Sequence, residues 1–233
     1  MDCYKKHDKT QFLSRWLCLA MIVCAAGLSG CSSLQPTWTL QSEKSSVSYY
    51  TRESKVSSLP EFKASVDINA PMSDIITALT DFKSHPEWVY GCEQSEVLAL
   101  SSLSEAYVYQ VTRVPLLKDR DTIMHAQIKR SSGGNGYVIN LTAAPDFCSD
   151  KTTTQCKQTL NNDYVRVEDA MGTFELTELD NQTTRVEWTQ FLDPAGSLPH
   201  WAFRMRLSQV PIKSLSNLKK RVEVDTEFTQ AKN

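Results

Sequence analysis

The chain has 233 residues, 41 % apolar and 22 % charged, which excludes a disordered tail protein, a collagen-like repeat and a low-complexity fibre. Its 25 basic and 27 acidic side chains give a formal charge of −2, and no basic block stands beyond the extreme N-terminus. Nothing therefore supplies the phosphate neutralisation that nucleic-acid binding needs, and the length suits one ordinary core or two small ones.

Residues 1–30 read as an export signal. Lys5, Lys6, Lys9 and Arg15 precede an apolar run from Trp16 to Leu28, the charged start and short apolar centre of such a segment. The run spans 13 residues, short of the roughly 20 that cross a bilayer. Leu28-Ser29-Gly30-Cys31 follows and resembles a bacterial lipobox, which implies cleavage before Cys31 and a diacylglyceryl group on its thiol. Ser32, in place of Asp, resembles the Gram-negative pattern for sorting to the outer membrane. More than one acyl chain gives a firm anchor where a single chain holds marginally. Residues 31–37 then form a lipidated tether, and the mature chain keeps 21 basic against 25 acidic side chains, a charge of −4.

Of the seven cysteines, Cys3, Cys18 and Cys24 leave with the signal and Cys31 takes lipid. Cys92, Cys148 and Cys156 remain in an oxidising compartment. Cys148 and Cys156 flank the polar stretch Ser149 to Gln155 between two strand-like segments, so a disulfide between them would close a short loop, with Cys92 a buried free thiol. Zinc is the alternative reading, but no His or second paired cysteine stands at ligand spacing.

Val47 to Thr51 and Phe62 to Ile68 are β-rich, with Leu59-Pro60 as a turn between them. Pro71 and Asp74 mark a helix start, Ile75, Ile76 and Leu79 follow at helical spacing, and the helix is expected to end near Phe82. From Tyr107 the chain yields strand after strand: Ala106 to Val114, Thr122 to Lys129, Tyr137 to Ala143, Tyr164 to Asp169, Gly172 to Leu179 and Thr184 to Leu192, with Gly133-Gly134-Asn135-Gly136 as a hairpin turn. Such a meander is antiparallel, and in its last strand Val186, Trp188 and Gln190 share one face. A helix from Leu198-Pro199 to about Val222 closes the chain. Trp201, Met205, Ile212 and Leu215 form one apolar stripe and Phe203, Leu207, Val210 and Leu218 a second, with Pro211 expected to kink it. The pattern thus predicts an α+β fold: a curved antiparallel sheet closed by a long C-terminal helix.

Several segments, in order, carry a resemblance. Val47 to Arg52, Leu79-x-Asp81 with Trp88, Lys118-Asp119-Arg120-Asp121, Tyr164-Val165-Arg166, Gly172, and Trp188 to Pro199 with Asp193, Gly196 and Leu198-Pro199 resemble the START family of lipid-transfer domains. The likeness spans about Trp38 to Val222, giving a START-like domain over 38–224 and a C-terminal tail over 225–233. It implies the helix-grip fold, in which the last helix covers an internal hydrophobic tunnel that takes one lipid, commonly a sterol, phospholipid or ceramide. Ala126 stands where sterol-binding members place a basic residue, a departure from the sterol pattern.

The tunnel candidates by alternation are Tyr107, Tyr109 and Val111, then Met124 and Ala126, Ile139 and Leu141, and Trp188 and Gln190, with Trp201, Met205 and Ile212 from the helix. Alternation does not separate a residue that touches a guest from one that packs in ordinary core. Tyr107, Tyr109 and Gln190 are the sharper candidates, because a buried hydroxyl or amide needs a partner. Arg120 and Asp121 read as structural, fixing a strand start and pairing with Asp193 or Arg166. The three other histidines relevant to the domain, His85, His125 and His200, are scattered, no serine sits in a Gly-x-Ser-x-Gly elbow, and neither a phosphate loop nor a metal constellation is found, so no cofactor is implied.

The reading these features favour is a lipid-anchored envelope protein that binds and shuttles an apolar molecule. Moving a 16-carbon chain through water would cost on the order of 13 kcal/mol, so a carrier needs a dry tunnel, up to about 1,000 Å³. An enzyme of the cyclase or aromatase type on the same scaffold would require Tyr107, Tyr109, His125 and Gln190 to converge. A purely structural protein would plug the interior with Trp188 and Trp201.

Overall fold

The computed structural model describes residues 37–54, 59–149, 156, 157, 159, 163–196 and 200–230, and within the last segment the side chains of 203 and 207–226. The signal, Cys31 and most of the tether lie outside the described residues, as do the side chains of Trp201 and Met205. Within residues 36–233, one compact unit, the described strands are β1 (Thr39–Lys44), β2 (Val47–Arg52), β3 (Glu61–Ile68), β4 (Cys92–Ser102), β5 (Glu105–Thr112), β6 (Arg120–Arg130), β7 (Gly136–Ala143), β8 (Val165–Arg166), β9 (Ala170–Asp180) and β10 (Thr183–Leu192). The helices are α1 (Met72–Thr80), α2 (His85–Trp88) and α3 (His200–Gln230).

Nine strands join in the order β1-β2-β3-β10-β9-β7-β6-β5-β4, every pair antiparallel. β3 shows why: Phe62, Ala64, Val66 and Ile68 are buried while the residues between them are not, so a single face seeks cover. β10 repeats the pattern with Val186 and Trp188 inward, and its register sets Trp188 opposite Ala64 of β3 and Phe174 of β9. At the β1–β2 hairpin Ser45 and Ser46 both have positive φ, 52° and 62°, the backbone hand that matches strand twist in a two-residue turn. At the start of β7 only glycine fits: a Cβ on Gly136 would stand 2.0 Å from the Leu176 carbonyl oxygen of β9.

Helix α3 packs on β2, β3, α1 and α2. Leu215, Leu218 and Val222 are buried against the sheet, each contributing roughly 2 kcal/mol. Polar contacts fix its C-terminal two-thirds: Ser214 Oγ accepts from Tyr90 N at 2.9 Å, Asn217 donates to the Trp88 carbonyl at 3.1 Å, and Lys219 donates to the Asp67 carbonyl at 2.8 Å.

The structure departs from expectation in four places. β1 and β4 are strands that alternation did not reveal; both lie at sheet edges, and β1 is polar and mostly exposed along its length. The segment expected as a strand from Tyr164 to Asp169 contributes only Val165–Arg166, and pairs with β6 in parallel. It takes the end of β6, Arg120 and Asp121, which β7 leaves unpaired because its register begins at Met124. Finally, α3 runs on past Val222 to Gln230, so residues 225–230 are helix and not tail; Thr226 is buried there and donates to Asp74 of α1 at 3.3 Å. The helix is continuous through Pro211, which cannot donate to the Leu207 carbonyl.

Candidate functional site

Two adjoining chambers open between the sheet and the helical layer. The first, about 110 Å³, is lined by Phe82, His85, Trp88 and Val89 from the α1–α2 region, Val108, Gln110 and Thr112 of β5, Thr122 and Met124 of β6, Leu141, Phe174, and Trp188, Gln190 and Leu192 of β10. The second, about 140 Å³, shares Thr112, Thr122, Gln190 and Leu192 with it and adds Phe62, Val114, Arg120, Val167, Pro194 and, from α3, Phe203, Leu207 and Val210. These chambers are smaller than the tunnel of up to 1,000 Å³ expected for a whole lipid. Large rings account for part of the difference: Trp188 stacks on Phe174 with centroids 5.0 Å apart and meets Phe62 edge-on at 5.2 Å.

Met124, Leu141, Trp188 and Gln190 line the first chamber as alternation placed them. Tyr107, Tyr109 and Val111 do not. They lie on the opposite face of β5, paired with His125, Ile123 and Asp121 of β6. That face is also buried, because Phe147, Cys148, Cys156 and Tyr164 pack against it. The alternation signal therefore selected the greasier face of β5, while the face toward the chambers carries Val108, Gln110 and Thr112. Ala126 shares the inward face but lines a separate hollow beside Ala106 and Ile128. Ile139 is buried in the main core and Ile212 packs against it, neither lining a chamber. In α3 it is the Phe203, Leu207 and Val210 stripe, and not Ile212, that reaches the second chamber. Tyr107, Tyr109 and His125 on one face and Gln190 on the other do not converge, so the constellation required of the cyclase-type reading is not assembled.

Sequence reasoning missed His85, Gln110, Thr112 and Thr122. His85 Nε2 donates to the Leu79 carbonyl at 3.0 Å, while Nδ1 accepts from the Gln110 amide at 2.8 Å. That pattern belongs to neutral imidazole. Burial, the largest influence, lowers the His85 pKa from 6.5 to about 4, partly opposed by its bond to Leu79. The only available signal was pairing: with Met124 inward, its β5 neighbour Val108 must be inward too, and Gln110 and Thr112 follow.

Arg120 and Asp121 diverge. Asp121, on the outer face, takes two bonds from Arg166, 3.0 Å from Nε and 2.7 Å from Nη2, and one from the Tyr109 hydroxyl at 3.2 Å. Burial pushes the Tyr109 hydroxyl up, and the Asp121 charge adds to the effect. Arg166 also donates to the Thr159 carbonyl at 2.8 Å, so the pair ties β6 and β8 to Thr159, three residues beyond Cys156. Cys148 and Cys156 are joined, with Cα atoms 5.2 Å apart, and Cys92 is a buried free thiol. Arg120 does not pair with Asp193. It donates to the main-chain carbonyls of Lys118, Pro194 and Ala195, while Asp193 accepts from the Ala195 amide at 2.9 Å and shapes that turn.

The START domain family model matches residues 25–227. An uncharacterized Pseudomonas aeruginosa protein, PA1579, is 22 % identical over 208 residues, covering 88 % of this chain and 97 % of that one. The crystal structure of a STAR-related lipid transfer protein fragment from Xanthomonas axonopodis superposes with a TM-score of 0.69 at 24 % identity, over 79 % of this chain and 98 % of that one. Human StAR-related lipid transfer protein 5 gives 0.67 at 15 %, over 92 % and 96 %. The two structures share the fold, a helix-grip sheet closed by its last helix; with the family match across most of its length, the chain belongs to the START domain family.

Proposed function

We propose that the protein binds one hydrophobic small molecule in the chambers between the sheet and α3 and passes it on, while anchored to the bacterial envelope through Cys31. Family membership supports the binding of a hydrophobic ligand. The observation that carries the reading is the pair of adjoining chambers, walled mainly by apolar side chains yet crossed by Gln110, Thr112, Thr122 and Gln190. Apolar pockets with a few placed polar groups are the usual form of a small-molecule site. The anchor is supported by the charged start, the apolar run and Leu28-Ser29-Gly30-Cys31.

Binding is tested by purifying the full chain, extracting it with organic solvent and identifying co-purified molecules by mass spectrometry. The expected result is an apolar compound near one per chain; no retained compound, together with no uptake of added lipid, counts against carriage. The anchor is tested by intact mass of the membrane-extracted protein, with an acylated N-terminal Cys31 expected and lost on Cys31→Ser.

A further inference from the structure

Arg120 is the single charged side chain among the described residues that line the two chambers, and none of those residues is an Asp or Glu. It is 6 % exposed. Among the described residues no carboxylate comes within ion-pair reach of it, in contrast to Arg166, Arg185 and Arg52, each of which has one. Three of its N–H groups meet the carbonyls of Lys118, Pro194 and Ala195. A guanidinium has five N–H groups. Carbonyl dipoles solvate its charge, and the neighbouring Asp119 carboxylate, which accepts from the Val114 amide, acts on it through space without forming an ion pair, whereas buried charges are ordinarily paired directly.

A second observation points the same way. Trp88 and Trp188, 3 % and 6 % exposed, line the first chamber, and the indole N–H of each is buried with no hydrogen-bond partner among the described residues. An unpaired buried donor carries a desolvation cost that a native structure seldom leaves uncompensated. Among the described residues, the lining thus has unpartnered donors, a positive charge with no direct ion pair and no acidic group.

We infer that the guest is an anionic amphiphile, with a carboxylate or phosphate head against Arg120 in the second chamber and its apolar body running past Gln190 and Leu192 into the first. The inference rests on the carriage reading above and narrows its ligand class. A planar guanidinium fork matches the paired oxygens of either head. The same lining disfavours a cationic head, which would meet Arg120 and find no acid.

The test compares octanoate, 1-octanol and octyltrimethylammonium, one tail with three charges, in calorimetric titrations of the full chain at pH 7.5. Octanoate is expected to bind about tenfold or more tightly than 1-octanol, and the cation most weakly. Arg120→Gln should bring octanoate down to the 1-octanol level with 1-octanol binding retained, and Arg120→Lys should keep a preference for octanoate. Retained 1-octanol binding also shows that the variants are folded. Equal binding of octanoate and 1-octanol by the parent protein overturns the inference while leaving carriage standing; binding of none of the three, with no co-purified compound, overturns both. Should Arg120→Gln not fold, the order of affinities in the parent protein and Arg120→Lys still decides.

Discussion

Arg120 and Asp121 are neighbours in sequence and bury their charges on opposite faces of β6, Arg120 in the wall of a chamber and Asp121 against Arg166 on the outer side. Strand alternation imposes the division, and the two charges meet opposite circumstances. The carboxylate is fully bonded and helps hold the parallel strand β8 in place. Among the described residues, the guanidinium is held by the main-chain carbonyls of Lys118, just before β6, and of Pro194 and Ala195, beyond β10.

Breaking the outer pair should be costly. The Asp121 side chain is 2 % exposed and that of Arg166 25 %. Removing one partner of a buried pair costs about 3–5 kcal/mol, and the partial exposure of Arg166 places Asp121→Ala near the lower end of that range. Urea unfolding should show the loss; a change within about 0.5 kcal/mol would mean that the pair contributes little.

His85 makes stability depend on pH. Burial lowers its folded-state pKa to about 4 from an unfolded value near 6.5. The unfolded chain therefore binds the proton more readily. The stabilisation is complete above pH 6.5 and is lost as pH falls from there through 4. At pH 5.5 the loss relative to pH 7.5 is on the order of 1 kcal/mol. His85→Gln should flatten this part of the profile, and an unchanged slope in that variant would assign it to other groups.

The Cys148–Cys156 bond closes a loop of sequence separation 8, for which chain entropy gives about 2.5 kcal/mol. Both cysteines also pack in the cluster with Tyr109, Val111 and Ile123. Replacing both with serine should lower the urea midpoint in non-reducing buffer. Adding reductant should then shift the parent protein and leave the variant unchanged; an equal response in both would show that the bond is not formed in solution.

What could be read from the sequence follows from how many faces of each element are covered. β3 buries a single face and β10 does so as far as Gln190, with Phe191 buried on the other side, so alternation identified Trp188 and Gln190 as inward. β5 buries both, since Tyr107, Tyr109 and Val111 pack with Phe147, Cys148, Cys156 and Tyr164 while Val108 and Gln110 face the chamber. Hydropathy alone then favoured the drier, outer side. A wall that receives a guest carries polar side chains such as Gln110 and Thr122, so the property that makes it a site also hides it from an apolar-periodicity reading. His85 was illegible for a different reason: it is brought to the chamber by the turn after α1, and no strand period places it. β1 and β4 escaped notice because an edge strand needs no uniform apolar face.

Trp188 separates a guest chamber from mere core. The ring is clasped by Phe174 and Phe62, while its N–H has no partner among the described residues. Trp188→Phe keeps an aromatic ring in place and removes the unpaired donor, so the gain of about 1–3 kcal/mol from the relieved donor offsets the lost volume. Net stability is expected within about 1 kcal/mol of the parent. Trp188→Ala should cost about 3–5 kcal/mol and enlarge the first chamber. Titration with 1-octanol, 1-decanol and 1-dodecanol then distinguishes the roles. In a guest chamber the best-binding chain length moves upward in Trp188→Ala, because the vacated volume admits more methylenes at about 0.8 kcal/mol each. Lower stability with an unchanged optimum would make Trp188 ordinary filling and place the guest elsewhere.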